Sequence, residues 1–255
     1  MIDIHSHILP GIDDGAKTME DSISMAKAAV DQGIRTIIAT PHHRNGKYEN
    51  YKLDILRQTE ELNASLVEHD IPLTVLPGQE TRLHGDMIDE LNHELSLTLT
   101  NNTNYLFVEL PSGHVPRYAK QMLFELQLEG YQPIIVHPER NKEIIEHPSL
   151  LYQFTEKGVL TQVTAASVIG KFGKNIQKFS HQLIESNQVH FIASDAHNTT
   201  TRGFCMVEAY EEIEKQHGME VRYMFMENTE LLIQGDSVNR FEPVPIKKKK
   251  FLGLF

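Results

Sequence analysis

The sequence predicts an α/β protein of parallel strands in a closed or nearly closed barrel, with an open doubly wound sheet as the alternative. Three observations predict it. Short runs rich in Ile and Val alternate with longer amphipathic segments, giving seven strand–helix units in about 235 residues. Connections of that length join parallel strands through helical crossovers. Residues with metal-ligand chemistry recur at the ends of the strand runs, where a barrel of this kind carries its site.

Residues 2–5 read as the first strand and 18–33 as the first helix. There Thr18 and Asp21 fit a capping box, Met19, Ile23, Ala26 and Val30 share a face, and Gly33 supplies the stop. Residues 35–40 form the second strand. A long polar helix over 49–69 follows, with Tyr51, Ile55, Leu62 and Leu66 as its apolar stripe. Strands are expected at 73–76, 105–110, 133–136, 159–163 and 189–194. Helices are expected at 87–95, 116–129, 147–157 and 174–187 and within 201–233. Composition does not shift before Phe241, so residues 1–240 read as one domain and 241–255 as a flexible tail.

The chain has 255 residues, enough for a substantial core. Its formal net charge of −11 argues against general nucleic-acid binding, which needs a basic face. Cys205 is the single cysteine, so no intramolecular disulfide forms and a reducing compartment is expected. Residues 1–15 lack a basic segment followed by an apolar run, and no stretch approaches a membrane span. The protein is therefore expected in the cytoplasm.

The strand ends carry the chemistry. His5 and His7 leave the first strand as a His-x-His pair, which a period of two sends to the same side. The second strand ends in Thr40-Pro41-His42-His43 and the third runs into Gly78-Gln79-Glu80. The fourth ends at Glu109, the fifth in His137-Pro138-Glu139-Arg140 and the seventh in Ser194-Asp195-Ala196-His197. The sixth, ending in Gln162-Val163-Thr164, lacks a charged or imidazole ligand. With Asp14 the candidates number nine: His5, His7, Asp14, His42, Glu80, Glu109, His137, Asp195 and His197. That is too many for one ion and suits two or three ions with bridging carboxylates. Imidazole plus carboxylate without thiolate suits Mn, Fe or Zn, and the carboxylate share leans toward Mn2+.

These motifs together resemble the polymerase and histidinol phosphatase (PHP) superfamily. The opening residues 1–7 with Asp13-Asp14-Gly15 resemble more specifically its bacterial protein-tyrosine phosphatases. Those act on autophosphorylated tyrosine kinases of capsule and exopolysaccharide synthesis in Gram-positive bacteria. The resemblance implies a distorted seven-stranded (β/α) barrel, TIM-like, with three metals. It implies one ion on His5, His7, Glu80 and Asp195, a second on Glu80, Glu109 and His137, and a third on Asp14, His42 and His197. Asp13, adjacent to Asp14, is the alternative for that position. Many superfamily members have histidine where this chain has Asp14 and Glu109. Arg140 and Arg202 match positions that bind phosphate, a role that suits the bidentate guanidinium.

Cys205 is followed by residues 206–211 without an arginine, so the Cys-x5-Arg loop of cysteine-dependent phosphatases is absent. The expected mechanism is direct hydrolysis, with a metal-bridging hydroxide attacking phosphorus in line and Arg140 and Arg202 stabilising the equatorial oxygens. The expected partner is a tyrosine-phosphorylated protein, in particular a bacterial tyrosine kinase. The rival readings are a small-molecule phosphomonoesterase such as histidinol phosphatase, an amidohydrolase and a non-catalytic metal scaffold. His43 is the remaining histidine near the strand ends, and segment 111–116 is a candidate substrate rim. Four lysines ahead of an apolar pentapeptide, in Lys247–Phe255, suit contact with the anionic inner face of the membrane, docking on a partner or a merely solubilising tail.

Overall fold

A computed structural model describes residues 1–246. Strands and helices alternate as β1 (Ile2–Ser6), α1 (Met19–Asp31), β2 (Thr36–Ala39), β3 (His42–His43), α2 (Lys52–Glu68), β4 (Thr74–Pro77), β5 (Glu80–Arg82) and α3 (Met87–Asn92). They continue as β6 (Tyr105–Glu109), α4 (Ala119–Leu128), β7 (Gln132–Val136), α5 (Lys142–Glu146), α6 (Ser149–Thr155), β8 (Leu160–Thr164), α7 (Ala165–Val168), α8 (Lys174–Glu185), β9 (Phe191–Ala193), α9 (Met206–His217) and α10 (Met219–Gln234). Every expected strand region holds a strand. The short β3 and β5 are additions that continue β2 and β4 after breaks at Thr40-Pro41 and Gly78-Gln79. Thr18 caps α1 as expected: it accepts from Asp21 N–H while the Asp21 carboxylate accepts from Thr18 N–H.

All strand pairs are parallel, in the orders β1-β2-β4 and β3-β5-β6-β7-β8-β9. The chain beyond β9 then returns to β1 through a bridge between Ser6 and Ala196. There Asp195 N–H donates to His5 O at 2.9 Å and His7 N–H donates to Ala196 O at 2.8 Å. The pairing thus comes back to its start, which an open doubly wound sheet does not do.

Alternation along the strands separates two apolar layers. Ile38, Phe107, Ile134, Val136, Leu160 and Phe191 form the inner one. Ile37, Leu106, Val108, Ile135, Val163 and Ile192 face outward and pack with the helices. Among the described residues no helix is long and apolar enough to cross a membrane. Residues 241–246 run back along the body, where Asn187 donates to Glu242 O and Val244 N–H donates to Ser186 O. The segment Lys247–Phe255 lies outside the described residues.

His190 enters β9 buried, and its Nδ1 accepts from Thr161 N–H at 3.1 Å. Burial, with the Arg240 charge, pushes its pKa down from 6.5 to about 3. The unfolded chain therefore takes up a proton near pH 6.5 that the folded chain refuses. This contribution to stability is complete above pH 6.5 and lost as pH falls toward 3, at about 1.4 kcal/mol per unit. His190→Asn keeps an acceptor for Thr161 and is expected to flatten the fall of melting temperature below pH 6.5. Parallel profiles for the two proteins would assign that fall to other groups.

Candidate metal centre

A kink in the first strand aims the first ligand. Asp3 pairs with Ile37 and Ser6 with Ala39, so β1 carries one residue more than β2 over this stretch. Such a bulge turns a side chain out of strict alternation. Ile4 belongs to the inner apolar layer, yet the adjacent His5 ring also lies 5.0 Å from the inward Phe107. His5 and His7 then sit with ring centroids 5.4 Å apart.

Three imidazoles are held in one tautomer from behind. His5 Nδ1–H donates to Gln162 Oε1 at 2.9 Å, His7 Nδ1–H to Asp13 Oδ2 at 2.6 Å and His197 Nδ1–H to Asp195 O at 2.9 Å. Each leaves an Nε2 lone pair facing the centre. His5 Nε2 is 3.4 Å from Glu80 Oε2 and 3.6 Å from Asp195 Oδ1. The corresponding distances from His7 Nε2 are 3.3 and 3.4 Å.

The two neighbouring aspartates divide their work. Asp13 is buried and fully engaged, accepting also from Gly15 N–H at 2.8 Å and His42 N–H at 3.2 Å. Asp14 reaches outward, with Oδ1 3.4 Å from both His42 Nε2 and His197 Nε2. Gly15 permits this loop, because a Cβ there would stand 1.9 Å from His7 O.

Glu80 is the hub. Its Oε1 accepts from His137 Nε2–H at 2.7 Å, while Oε2 lies 2.9 Å from His42 Nδ1 and close to His5 and His7. Glu109 Oε2 is 3.7 Å from His42 Nδ1. Burial opposes charge on Glu80, but His42 and His5 hold its carboxyl well below the usual range. Burial likewise opposes charge on Asp195, and Arg140 leads the groups that hold it ionised. Glu109 goes the other way: burial and the Glu80 charge push it up, against the neighbouring Arg82.

His137 and Asp195 both take left-handed backbone angles at strand ends, with φ of 37° and 53°. Such angles are uncommon outside glycine and concentrate where a side chain must be aimed. Beside them opens a cleft of about 310 Å³, lined among others by Leu110, Ser112, Val136, Pro138, Arg140 and Arg202. Arg140 Nη2 donates to Asp195 Oδ2 at 2.5 Å and Arg202 Nη2 donates to the same oxygen at 2.9 Å. Glu139 Oε1 accepts from Ser167 Oγ–H and Thr164 N–H, and Glu143 Oε2 accepts from Val115 N–H. His43 turns away from the site, with Nε2 2.9 Å from Glu90 Oε2. Cys205 is buried beside Lys171, whose Nζ donates to Sγ at 2.8 Å.

Five buried ligand-type atoms at this centre have no hydrogen-bond partner: His5 Nε2, His7 Nε2, His42 Nδ1, His197 Nε2 and Glu80 Oε2. Leaving a buried polar atom unpaired costs roughly 1–3 kcal/mol, so their convergence calls for a cation. Donor atoms fall into three overlapping groups that could hold metal: His7, Asp14, His42 and His197; His5, His7 and Glu80; and His42, Glu80 and Glu109. Asp195 joins at the His5–His7 end and His137 through Glu80. Imidazoles and carboxylates without thiolate fit a divalent transition metal.

Three supporting residues escaped the sequence reading. Asp13 was visible only as an alternative to Asp14. Gln162 stands on the strand that lacked a ligand, and its signal was an inward position in line with the other strand ends. Arg82 lies two residues after Glu80, the spacing that places both on one face of β5.

The family model for capsular polysaccharide synthesis, CpsB/CapC, matches residues 1–234. The tyrosine-protein phosphatase YwqE of Bacillus subtilis is 52% identical over 255 residues, covering 100% of both chains. The tyrosine-protein phosphatase CpsB of Streptococcus agalactiae serotype III is 31% identical, covering 92% of this chain and 98% of that one. A crystal structure from work on YwqE of Bacillus subtilis and CpsB of Streptococcus pneumoniae, which it calls metal-dependent tyrosine phosphatases, superposes with a TM-score of 0.95. It is 52% identical and covers 97% of this chain and 100% of its own.

Proposed function

This chain belongs to the capsular polysaccharide synthesis family CpsB/CapC, and we propose that it is a metal-dependent protein-tyrosine phosphatase. The observation that carries the proposal is the set of five unpartnered donor atoms beside a cleft walled by two arginines. We assign His5, His7, Glu80 and Asp195 to one ion, Glu80, Glu109 and His137 to a second, and Asp14, His42 and His197 to a third. The engagement of both Asp13 oxygens supports Asp14 as the ligand. The carboxylate share favours Mn2+, with Fe or Zn as competitors.

When bound, divalent cations supply a water acidic enough to attack near neutral pH and polarisation of the phosphoryl oxygens. The protein's own side chains do the rest. Arg140 and Arg202 converge from one side on the cleft and can each take two phosphoryl oxygens. Leu110, Val136 and Pro138 give the cleft an apolar wall suited to a phenyl ring. Gln162 and Asp13 keep the His5 and His7 rings in the ligating tautomer. Phenolate, with a pKa of about 10, is a fair leaving group and asks little of a proton donor. Cys205 has neither the exposure nor the arginine loop of a nucleophile.

The substrate we infer is a tyrosine-phosphorylated protein, in particular a bacterial tyrosine kinase of polysaccharide synthesis. Residues 1–240 are the phosphatase domain in this reading. The tail from 241 adds four lysines that would draw a cytoplasmic protein toward anionic lipid at the inner face of the membrane, at about 1 kcal/mol per lysine.

With Mn2+ added, the protein is expected to hydrolyse a phosphotyrosyl peptide faster than a phosphoseryl peptide or histidinol phosphate. Cys205→Ser is expected to keep that activity. Preference for histidinol phosphate would make it a small-molecule phosphomonoesterase. Loss of activity in Cys205→Ser at normal metal content would return the chemistry to the thiol.

A further inference from the structure

We propose that Arg82 is a positioning residue that sets how Glu109 meets the cation it shares with Glu80, an inference that rests on reading both glutamates as ligands. Glu80 and Arg82 stand two residues apart on β5, so one strand face presents both. On the neighbouring strand, Arg82 is in direct register with Glu109. Arg82 Nε donates to Glu109 Oε2 at 2.9 Å and Nη2 donates to Oε1 at 2.8 Å.

Two parallel bonds from a planar guanidinium fix the plane of the carboxylate, which a single bond or a point charge does not. The fork leaves Oε2 directed toward His42. Glu109 is nearly buried and its neighbour Glu80 entirely so. Two like charges at such close quarters repel strongly unless a cation stands beside them. Arg82 supplies one fixed charge of the right sign from within the sheet. It is absent from the walls of the arginine-lined cleft, and its Nε and Nη2 are engaged by Glu109.

The test is a titration of Mn2+ into the metal-free full chain, with bound Mn2+ counted from the loss of the free-ion electron paramagnetic resonance signal and turnover of p-nitrophenyl phosphate followed in parallel. Arg82→Gln is expected to weaken one class of Mn2+ sites about 10- to 100-fold, the range found when support behind a ligand is removed. Its kcat should be low at limiting Mn2+ and recover at saturation. Arg82→Lys, which keeps the charge but loses the fork, is expected to fall between the two and guards against a folding defect. Glu109→Gln serves as the reference. If it loses a Mn2+ site while Arg82→Gln binds like wild type, the inference about Arg82 fails alone. If Glu109→Gln itself binds like wild type, the ligand reading beneath it fails. A weaker inhibition by inorganic phosphate in Arg82→Gln, with Mn2+ binding unchanged, would make Arg82 a phosphate-binding group and overturn the proposal.

Discussion

Glu80→Gln is expected to lower kcat by on the order of 10³-fold and to strip most of the bound metal from the protein. Among the described residues its carboxylate meets more of the imidazoles than Asp195 does, four against three. One carboxylate lies against His5, His7, His42 and His137. Losing support behind a ligand costs about 10- to 100-fold, and removing the shared ligand itself should exceed that. Glutamine keeps the volume, so the barrel should still close and the melting curve should stay cooperative. What it loses is the negative charge among four imidazoles. Metal content by elemental analysis, kcat and the melting profile together check this result. A variant with wild-type metal content and turnover would remove Glu80 from the centre.

Arg140→Ala is expected to act on the substrate side instead. Removing one preorganised donor from developing phosphoryl charge costs about 10²- to 10³-fold in kcat/KM. The metal response separates this role from a structural one. Arg140 is the leading charge that holds Asp195 ionised, and it binds Asp195 Oδ2 directly. Its loss frees an acceptor site on Asp195 Oδ2 while Arg202 still holds that carboxylate ionised, so Mn2+ affinity should hold. Inhibition by inorganic phosphate should weaken in parallel with kcat/KM. If Arg140→Ala lost metal while phosphate inhibition stayed at the wild-type level, Arg140 would be a prop for Asp195 and not a substrate group. Arg202 binds the same oxygen and is expected to follow the same pattern.

Both experiments rest on residues legible in the sequence, and the reason is periodicity. Strand segments announce themselves by their apolar runs, and a ligand at the end of each run needs no knowledge of what lies beside it. His5, His7, His42, Glu80, Glu109, His137, Asp195 and His197 all stand at such ends, and the fold brings them together. The alternation of strands and helices was likewise enough to predict parallel pairing.

Pairing across strands is not written in any local pattern. The clamp of Arg82 on Glu109 depends on the register of β5 against β6. The grip of Gln162 on His5 spans 157 residues. Neither residue carries a mark of its role in its own neighbourhood. The bulge in β1 also needed the facing strand, because an extra residue exists only relative to a partner. The choice between Asp13 and Asp14 was likewise a matter of position. The two are chemically identical, and only the loop folded over His7 sends one to its Nδ1 and the other to His42 and His197.

The sequence by itself therefore determined the class of fold, the strand ends that carry donors and the lack of a Cys-x5-Arg loop. Tertiary structure decided which donors lie together, which groups hold them in place and where the arginines point. Donor identity and strand period are properties of short segments. Distances among donors are set by register, bulges and closure, which arise only when distant segments meet.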